Sequence, residues 1–258
     1  MQPVTIPEAE PFFHERGPVG ALLLHGFTST PFEVRELGVR LADAGITVWA
    51  PALPGHCTTP EDLANTTWRD WFDATLNCIE DLRMRTEEVF AIGSSAGAAL
   101  ALHASAHNSS IRGVVGLATI VRIRSYYPRL MNLLARVFPE LPKRGGSSIR
   151  DPEARKRHPS YPTMPLKALV QLGTFLDHLV NDLPEITAPV LLVHARNDSV
   201  ALSADVPFVL DKLGSRLKSV TWVENSDHIV TEDFDKEIVF EQAIDFVFQH
   251  SQVLSRVT

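Results

Sequence analysis

The stretch Gly93-Ser94-Ser95-Ala96-Gly97 decides how this chain folds. It follows an apolar run at residues 89–92 (VFAI), which predicts a strand, and precedes a small-residue run at residues 98–103 (AALALH), which predicts a helix. A strand, a Gly-x-Ser-x-Gly turn and a helix in this order are typical of a nucleophile elbow, in which a strained turn exposes one serine hydroxyl. Only Ser95 has a glycine two residues away on both sides, so Ser95 is the candidate nucleophile.

The composition is ordinary for a globular chain of 258 residues, with 45% hydrophobic and 21% charged residues. The net charge of -7 argues against nucleic-acid binding, because phosphate contacts need clustered Lys and Arg. Two cysteines, Cys57 and Cys78, do not make a disulfide framework or a metal site. We therefore expect free thiols in a reducing compartment.

The N-terminal sequence does not have the pattern of a targeting signal. Residues 1–18 carry prolines and glutamates but no continuous apolar stretch, which argues against a signal peptide. No later run is long enough to span a membrane. We therefore expect a bacterial-type cytoplasmic protein without stable membrane insertion.

Strand and helix patterns alternate along the chain. Apolar runs typical of buried strands occur at residues 19–24, 46–50, 89–92, 113–118, 189–194 and 220–223. Helix patterns occur at about residues 30–44, 68–84, 98–103, 206–213 and 235–250. This alternation predicts an α/β fold with a mostly parallel sheet covered by helices on both faces. In such sheets, functional residues lie at the carboxyl ends of the strands.

Two of the predicted helices have clear start signals. Thr30 is the expected N-cap of the first, with Pro31 at the first helical position and Glu33 placed to close a capping box. Thr67 is the expected N-cap of the helix at residues 68–84.

Residues 120–186 interrupt the alternation. An amphipathic helix opened by Pro128 and a second helix near residues 166–179 lie here, separated by a proline- and glycine-rich stretch. A long helical insertion between two core strands predicts a lid over the strand tips. We expect one domain, residues 1–258, that carries this insertion.

The insertion is also basic. Between Arg122 and Ser160 only Glu140, Asp151 and Glu153 oppose a set of ten basic residues. These are Arg122, Arg124, Arg129, Arg136, Lys143, Arg144, Arg150, Arg155, Lys156 and Arg157. A solvated face, a contact with anionic lipid and a subunit interface are all compatible with this charge.

A serine nucleophile needs a base to take its proton and an acid to orient that base. On this kind of sheet the chain order is Ser, then Asp or Glu, then His. Asp198 follows the predicted strand at residues 189–194, and His228 follows the strand at residues 220–223. Ser95, Asp198 and His228 therefore form a candidate triad, each beyond a different strand.

An acyl-transfer intermediate also needs two backbone N–H donors for its oxyanion. One is expected from Ala96, the residue after the nucleophile, and the other from the turn after the first core strand. Gly26 lets that turn fold tightly, and Phe27 presents its amide. His25 fits a structural role in the turn better than that of a second base.

The remaining histidines fit a catalytic role less well. His103 and His107 lie on the predicted helix after the elbow, and His194 ends a core strand. No histidine pair shows metal-ligand spacing with a third ligand nearby, so we expect no metal.

These residues together resemble the α/β-hydrolase family, and more closely its bacterial carboxylesterase and monoglyceride lipase branch. The resemblance rests on residues 22–28 (LLLHGFT), residues 54–56 (PGH), the elbow, residues 195–198 (ARND) and residues 226–229 (SDHI). It covers nearly the whole chain except the insertion. The chain departs from the branch at Ser94 and Ala96, which replace larger residues, and at Cys57, which stands where a glycine is common.

The resemblance implies Ser95, Asp198 and His228 as the triad. It implies Phe27 and Ala96 as the oxyanion hole, and no cofactor. Esters of short- to medium-chain acids, or monoacylglycerols, are the implied substrates, and a homodimer through the insertion is compatible with the sequence. The substrate-binding candidates are His25, Gly26, Ser94, Tyr126, Leu130 and Leu134.

Two alternatives stay open at this point. A thioesterase, a peptidase or another acyl hydrolase would use the same triad, because the triad does not distinguish the leaving group. A binding protein with an α/β-hydrolase fold and a slow triad is the second alternative. Dehalogenase and epoxide-hydrolase chemistry is disfavoured, because the elbow carries Ser and not Asp.

Overall fold

A computed structural model of the protein describes residues 5–123, 127–143 and 146–256. Its main sheet has seven strands in the described residues. They are β1 (Phe12–His14), β2 (Val19–Leu24), β3 (Thr47–Ala50), β4 (Glu88–Ser94), β5 (Ile111–Leu117), β8 (Val190–Ala195) and β9 (Lys218–Val223). A separate hairpin pairs β6 (Glu140–Pro142) with β7 (Thr163–Pro165).

The strand order in the main sheet is β1-β3-β2-β4-β5-β8-β9. All neighbours are parallel except the edge strand β1, which pairs antiparallel with β3. The mostly parallel sheet expected from the alternating pattern is therefore confirmed. Parallel strands end on the same edge of a sheet, so the loops after β2, β4, β8 and β9 gather there.

Helices cover both faces of the sheet. They are α1 (Arg35–Asp43), α2 (Pro60–Ala64), α3 (Trp68–Arg83), α4 (Ala96–His107), α5 (Pro128–Leu134), α6 (Pro152–Arg157), α7 (Leu166–Asp182), α8 (Val206–Lys212) and α9 (Lys236–His250). Successive residues of β2 point to opposite faces. Leu22 and Leu24 pack with α3, α4 and α7, whereas Leu23 packs with α1 and α9.

Helix α4 lies at the centre of the molecule. Its first ten residues are all buried. The small size of its many Ala residues and of Gly97 allows the helix to pack closely against the sheet on one side and against α3 and α7 on the other. A helix that is apolar on all sides belongs in the core of a protein. The elbow therefore rests on a rigid support.

The N-cap predictions had different outcomes. Thr67 caps α3 in a reciprocal capping box with Asp70, as expected for a helix start. The capping box predicted for Thr30 and Glu33 is wrong. The chain passes through a 3₁₀ turn at Pro31–Val34 before α1 begins, and Thr30 donates to the Pro159 carbonyl at 3.3 Å instead of capping an amide.

The insertion between β5 and β8 contains α5, the β6–β7 hairpin, α6 and α7. Several of its basic side chains have partners within the protein. Arg122 forms an ion pair with Asp205, Lys156 pairs with Glu153 at 2.7 Å, and Arg155 donates to the Ile149 carbonyl. Arg124 and Arg144 lie outside the described residues.

Among the described residues, none of the helices combines the length and the apolar composition needed to cross a bilayer.

Candidate active site

The elbow at Ser95 has the strained geometry that its sequence predicts. Ser95 combines a positive φ of 53° with a ψ of -112°, a backbone conformation that residues other than glycine rarely adopt, between β4 and α4. A side chain on Gly93 would lie 2.2 Å from the Gly97 carbonyl carbon. A side chain on Gly97 would lie 2.2 Å from the Leu24 carbonyl oxygen. Glycine is therefore required at both positions by the close approach of strand, helix and neighbouring strand.

The structure brings the three candidate triad residues together. Ser95 Oγ lies 2.8 Å from His228 Nε2, and His228 Nδ1 lies 2.9 Å from Asp198 Oδ2. An ionised carboxylate only accepts hydrogen bonds, so Nδ1 carries the proton and Nε2 is free to accept from the serine hydroxyl. This is the arrangement in which an imidazole can remove a proton from Ser95.

Asp198 is itself held in place by the loop after β8. Its Oδ1 accepts hydrogen bonds from the Val200 and Ala201 amides, each at 2.8 Å. His194 Nε2 is 3.5 Å from Asp198 Oδ2. With one oxygen committed to the loop backbone, the other oxygen is directed at His228.

The surroundings of His228 act on its pKa in opposite directions. Burial lowers the pKa, whereas the hydrogen bond and charge of Asp198 and the negative charge of Glu33 raise it, and the net pKa is above its ordinary value of 6.5. A raised pKa makes His228 a stronger base.

The two predicted oxyanion donors lie beside Ser95. The Ala96 amide is at the N-terminus of α4, and the Phe27 amide is in the turn after β2. This turn passes close to the nucleophile, because a side chain added to Gly26 would lie 3.4 Å from Ser95 Cβ. The hydrogen bonds of the described residues include none donated by either amide. Both N–H groups are thus available to a ligand, and the partial positive charge of the helix N-terminus favours an anion there.

Glu33 is a site residue that sequence reasoning assigned to another role. Its side chain is 3% exposed, and Oε2 accepts from the Gly26 amide at 3.1 Å. Burial raises its pKa, but the charge of His158 and a hydrogen bond from Ser29 are among the interactions that lower it. Together these outweigh burial, so the net shift of the pKa is downward and the carboxylate is ionised. Glu33 therefore fixes the oxyanion turn and adds a negative charge to the site.

A buried polar chain joins this turn to the insertion. His158, at the end of α6, lies 2.6 Å from Glu232 Oε1 and 3.4 Å from Ser29 Oγ. The Tyr161 hydroxyl donates to the Gly55 carbonyl at 2.8 Å and accepts from the Thr58 amide at 2.9 Å. No motif in the sequence pointed to these contacts, because their partners are far apart in the chain.

Two of the predicted substrate contacts, His25 and Ser94, are fully buried. The His25 side chain has no exposed surface, and its Nε2 accepts from the Leu53 amide at 3.2 Å. Ser94 is likewise fully buried. This burial argues against direct contact of either side chain with substrate and favours the structural role expected for His25. Gly26 contributes its backbone amide, which donates a hydrogen bond to the Glu33 carboxylate.

The predicted contacts from the insertion lie on or near α5. Leu130 and Leu134 are 51% and 40% exposed on this helix, and Tyr126 lies outside the described residues. Contact of these side chains with substrate stays a prediction.

Cys57 stands where the related branch commonly has a glycine, and its backbone explains the preference. Its φ is 64°, in the left-handed region that glycine adopts at no steric cost. The thiol is buried, which raises its pKa to about 12, so it is not ionised at neutral pH.

One expectation about the histidines is wrong. His103 and His107 do have a third potential ligand nearby, because Asp182 Oδ2 lies 2.9 Å from a ring nitrogen of each. Asp182 is 75 residues away from His107 in the chain, so no local sequence pattern could indicate this contact.

Comparisons with known proteins agree with this fold. The family Hydrolase_4, described as serine aminopeptidase, S33, matches residues 20–235. A thermostable monoacylglycerol lipase from Bacillus sp. (strain H-257) is 31% identical over 94% of this chain and 96% of its own length. A carboxylesterase from Bacillus subtilis (strain 168) is 28% identical over 92% of this chain and 96% of its own length.

A solved structure from work on LipS and LipT, two metagenome-derived lipolytic enzymes, superposes with a TM-score of 0.90. It is 31% identical and covers 95% of this chain and 99% of its own. The predicted fold class and the predicted resemblance are thereby confirmed. This chain belongs to the Hydrolase_4 family of α/β-hydrolases, in its bacterial carboxylesterase and monoglyceride lipase branch.

Proposed function

We propose that this protein is a serine carboxylester hydrolase that works through an acyl-enzyme, with Ser95, His228 and Asp198 as its catalytic triad. The observation that carries the proposal is the contact chain from Ser95 Oγ to His228 Nε2 at 2.8 Å and from His228 Nδ1 to Asp198 Oδ2 at 2.9 Å. The relatives named carboxylesterase and monoacylglycerol lipase support esters as the substrate class.

In the first half-reaction, Ser95 Oγ attacks the ester carbonyl carbon while His228 Nε2 takes the hydroxyl proton. The Phe27 and Ala96 amides donate hydrogen bonds to the oxyanion that forms. As the intermediate collapses, His228 gives its proton to the leaving alkoxide, and an alcohol departs. Asp198 holds the tautomer and stabilises the imidazolium throughout.

In the second half-reaction, a water molecule replaces the alcohol. His228 removes one proton from the water, and the resulting hydroxide attacks the acyl carbon of Ser95. The same two amides stabilise the second oxyanion. When the bond to Ser95 breaks, His228 returns the proton to the serine, and a carboxylic acid leaves.

Short- to medium-chain acyl esters, including monoacylglycerols, are the substrates that we propose. The monoacylglycerol lipase similarity over 94% of the chain supports the second class. The half-exposed leucines of α5 supply apolar surface for an acyl chain. We also propose that residues 120–186 act as a lid within a single domain. Cytoplasmic location and a homodimer through this insertion stay predictions that fractionation and sedimentation can test.

A labelling experiment tests the proposed nucleophile. A fluorophosphonate probe forms a stable adduct with an activated serine, and we expect the adduct on the peptide that contains Ser95. The matched variants are Ser95→Ala, which must abolish labelling, and Ser94→Ala, which must retain it. Labelling of another serine, or none in a folded sample, contradicts the proposal.

A substrate panel tests the proposed reaction class. The acyl chain is kept constant while the leaving group is an alcohol, a thiol or an amine, in p-nitrophenyl esters, monoacylglycerols, acyl thioesters and amino-acid p-nitroanilides. We expect the highest kcat/KM for the oxygen esters. Faster turnover of the anilides would favour the peptidase that the family description names, and background rates on all four would favour a binding protein.

A further inference from the structure

Outside the proposed triad, the described residues contain one cluster of metal-ligating side chains. His103 and His107 lie one turn apart on α4, and Asp182 is the last residue of α7. Asp182 Oδ2 is 2.9 Å from His103 Nδ1 and 2.9 Å from His107 Nε2. The ligand atoms of the three residues all lie within 4.8 Å of one another.

We propose that His103, His107 and Asp182 form a binding site for a divalent transition-metal ion of the zinc class that joins α4 to α7. Two imidazole nitrogens and one carboxylate oxygen suit Zn²⁺ and its neighbours in the first transition row, whereas Mg²⁺ and Ca²⁺ prefer oxygen ligands alone. Two histidines four residues apart on one helix face are a common way to present such ligands.

The spacing of the ligand atoms is close to that of a coordination sphere. Two bonds of about 2.0–2.1 Å at a tetrahedral angle place their ligand atoms about 3.3–3.4 Å apart. Asp182 Oδ2 is 2.9 Å from each ring nitrogen, and the ligand atoms of the three residues all lie within 4.8 Å of one another. Tetrahedral coordination therefore requires the carboxylate to move slightly away from both rings.

The His103 ring is held against the Asp182 carboxylate in the interior. Its side chain is 4% exposed, and Nδ1 faces Asp182 Oδ2 at 2.9 Å in an orientation that does not meet the angles of a well-formed hydrogen bond. A cation shared between Nδ1 and Oδ2 would satisfy both atoms.

The surroundings of the cluster combine an apolar wall with an open side. The rings of Phe72, Phe175 and Trp68 lie 4.5, 5.2 and 6.0 Å from the His103 ring. A low-polarity wall strengthens the attraction between a cation and a carboxylate. The His107 and Asp182 side chains are 48% and 26% exposed, so an ion can enter from solvent.

The position of the site on α4 and α7 indicates a structural role for the ion. His103 is eight residues after Ser95, which corresponds to about 12 Å along a helix, so the ion does not touch the reacting ester. It joins the helix that supports the elbow to the last helix of the insertion. An ion that binds only the folded state raises the stability of that state by mass action.

Metal binding to the untagged protein, stripped with a chelator, tests the proposal. Isothermal titration with ZnCl₂ should show one site per chain, and saturating Zn²⁺ should raise the Tm by at least about 3 °C. Co²⁺ in place of Zn²⁺ should give a visible absorption band of a nitrogen- and oxygen-ligated ion. Binding of less than half an equivalent, or an unchanged Tm, overturns the proposal.

Variants assign the site to these side chains. His107→Gln and Asp182→Asn should each weaken Zn²⁺ binding at least tenfold and remove the Zn²⁺-dependent Tm shift. His250→Gln is the matched control, because His250 ends α9 on the other face of the sheet, and this variant should bind as the parent does. Equal affinity in all three variants overturns the assignment, and circular dichroism before metal is added verifies that each is folded.

Discussion

At the scale of single residues, the proposed chemistry depends first on one hydroxyl. Ser95→Ala removes the atom that lies 2.8 Å from His228 Nε2. We expect kcat on p-nitrophenyl butyrate to fall by roughly five to six orders of magnitude, as in other serine triads. Ser94→Ala is the control, because it removes the same group one residue earlier and away from His228. Comparable losses in both variants would contradict the assignment.

The pH dependence of kcat/KM in the parent protein should report the pKa of His228. His228 acts as a base only when neutral, so kcat/KM should fall as the pH drops through its pKa. That pKa is raised, since the charges of Asp198 and Glu33 outweigh the lowering effect of burial. The midpoint of the acid limb should therefore lie above pH 6.5. Stopped-flow or initial-rate kinetics between pH 5 and 9 measure it, and a midpoint well below pH 6.5 would contradict the prediction.

Glu33→Gln separates the charge of this residue from its hydrogen bond. The amide oxygen of glutamine can still accept from the Gly26 amide, but the negative charge that favours protonated His228 is removed. The acid limb of kcat/KM should move to lower pH. Glu36→Gln is the control, because Glu36 pairs with Lys236 on the protein surface and should leave the midpoint unchanged. A shift to higher pH in Glu33→Gln would be incompatible with this role.

The sequence identified the candidate triad because its signals are local. A Gly-x-Ser-x-Gly turn, an Asp after one strand and a His after another are each visible within a few residues. Glu33 was misassigned for the same reason. Its spacing from Thr30 fits a capping box, and only the fold reveals that its carboxylate turns inward to Gly26.

At the scale of elements, Tyr161 tests how the insertion is attached to the core. Tyr161→Phe removes a hydroxyl that bonds the Gly55 carbonyl and the Thr58 amide, and leaves both backbone groups without this partner. Such a loss should lower the free energy of unfolding by about 1–3 kcal/mol. Urea denaturation measures it. Tyr127→Phe is the matched control, because Tyr127 is 64% exposed, and an equal effect in both variants would contradict the prediction.

The elements that the sequence predicted are those with long hydrophobic patterns. Strands β2 to β5, β8 and β9 and helices α3, α7 and α9 were found within a few residues of their observed bounds. Strand β1, the β6–β7 hairpin and helices α2 and α6 were not predicted. Elements of three to six residues are too short to show a periodicity, and pairing with distant segments stabilises them.

At the scale of the whole molecule, chain order accounts for the convergence of the site. Parallel strands with helical crossovers give the order β4-β5-β8-β9 in the sheet. The loops that directly follow β4, β8 and β9 therefore lie at the same edge of the sheet. The contact of α4 with α7 at His103 and Asp182 depends instead on how the insertion folds back, and no rule of strand order predicts it.

The insertion is also where substrate choice can be tested. Leu130 and Leu134 are one turn apart on α5, and both expose much of their apolar surface to solvent. If the insertion covers the acyl chain of a bound ester, replacing both by serine removes apolar contact worth about 1–3 kcal/mol. We expect kcat/KM for a medium-chain monoacylglycerol to fall by about tenfold or more, while p-nitrophenyl acetate, whose acyl chain is too short to reach, changes little.

A control of the same chemistry separates this effect from a general loss of surface hydrophobicity. Leu217 is 60% exposed and lies just before β9, at the end of that strand opposite the triad, so Leu217→Ser should leave the ratio of the two rates unchanged. The ratio is the informative quantity, because a variant that is merely less stable loses both activities together. An unchanged ratio in the Leu130 and Leu134 double variant would mean that α5 does not contact the acyl chain, and that chain-length preference resides within the core of the site.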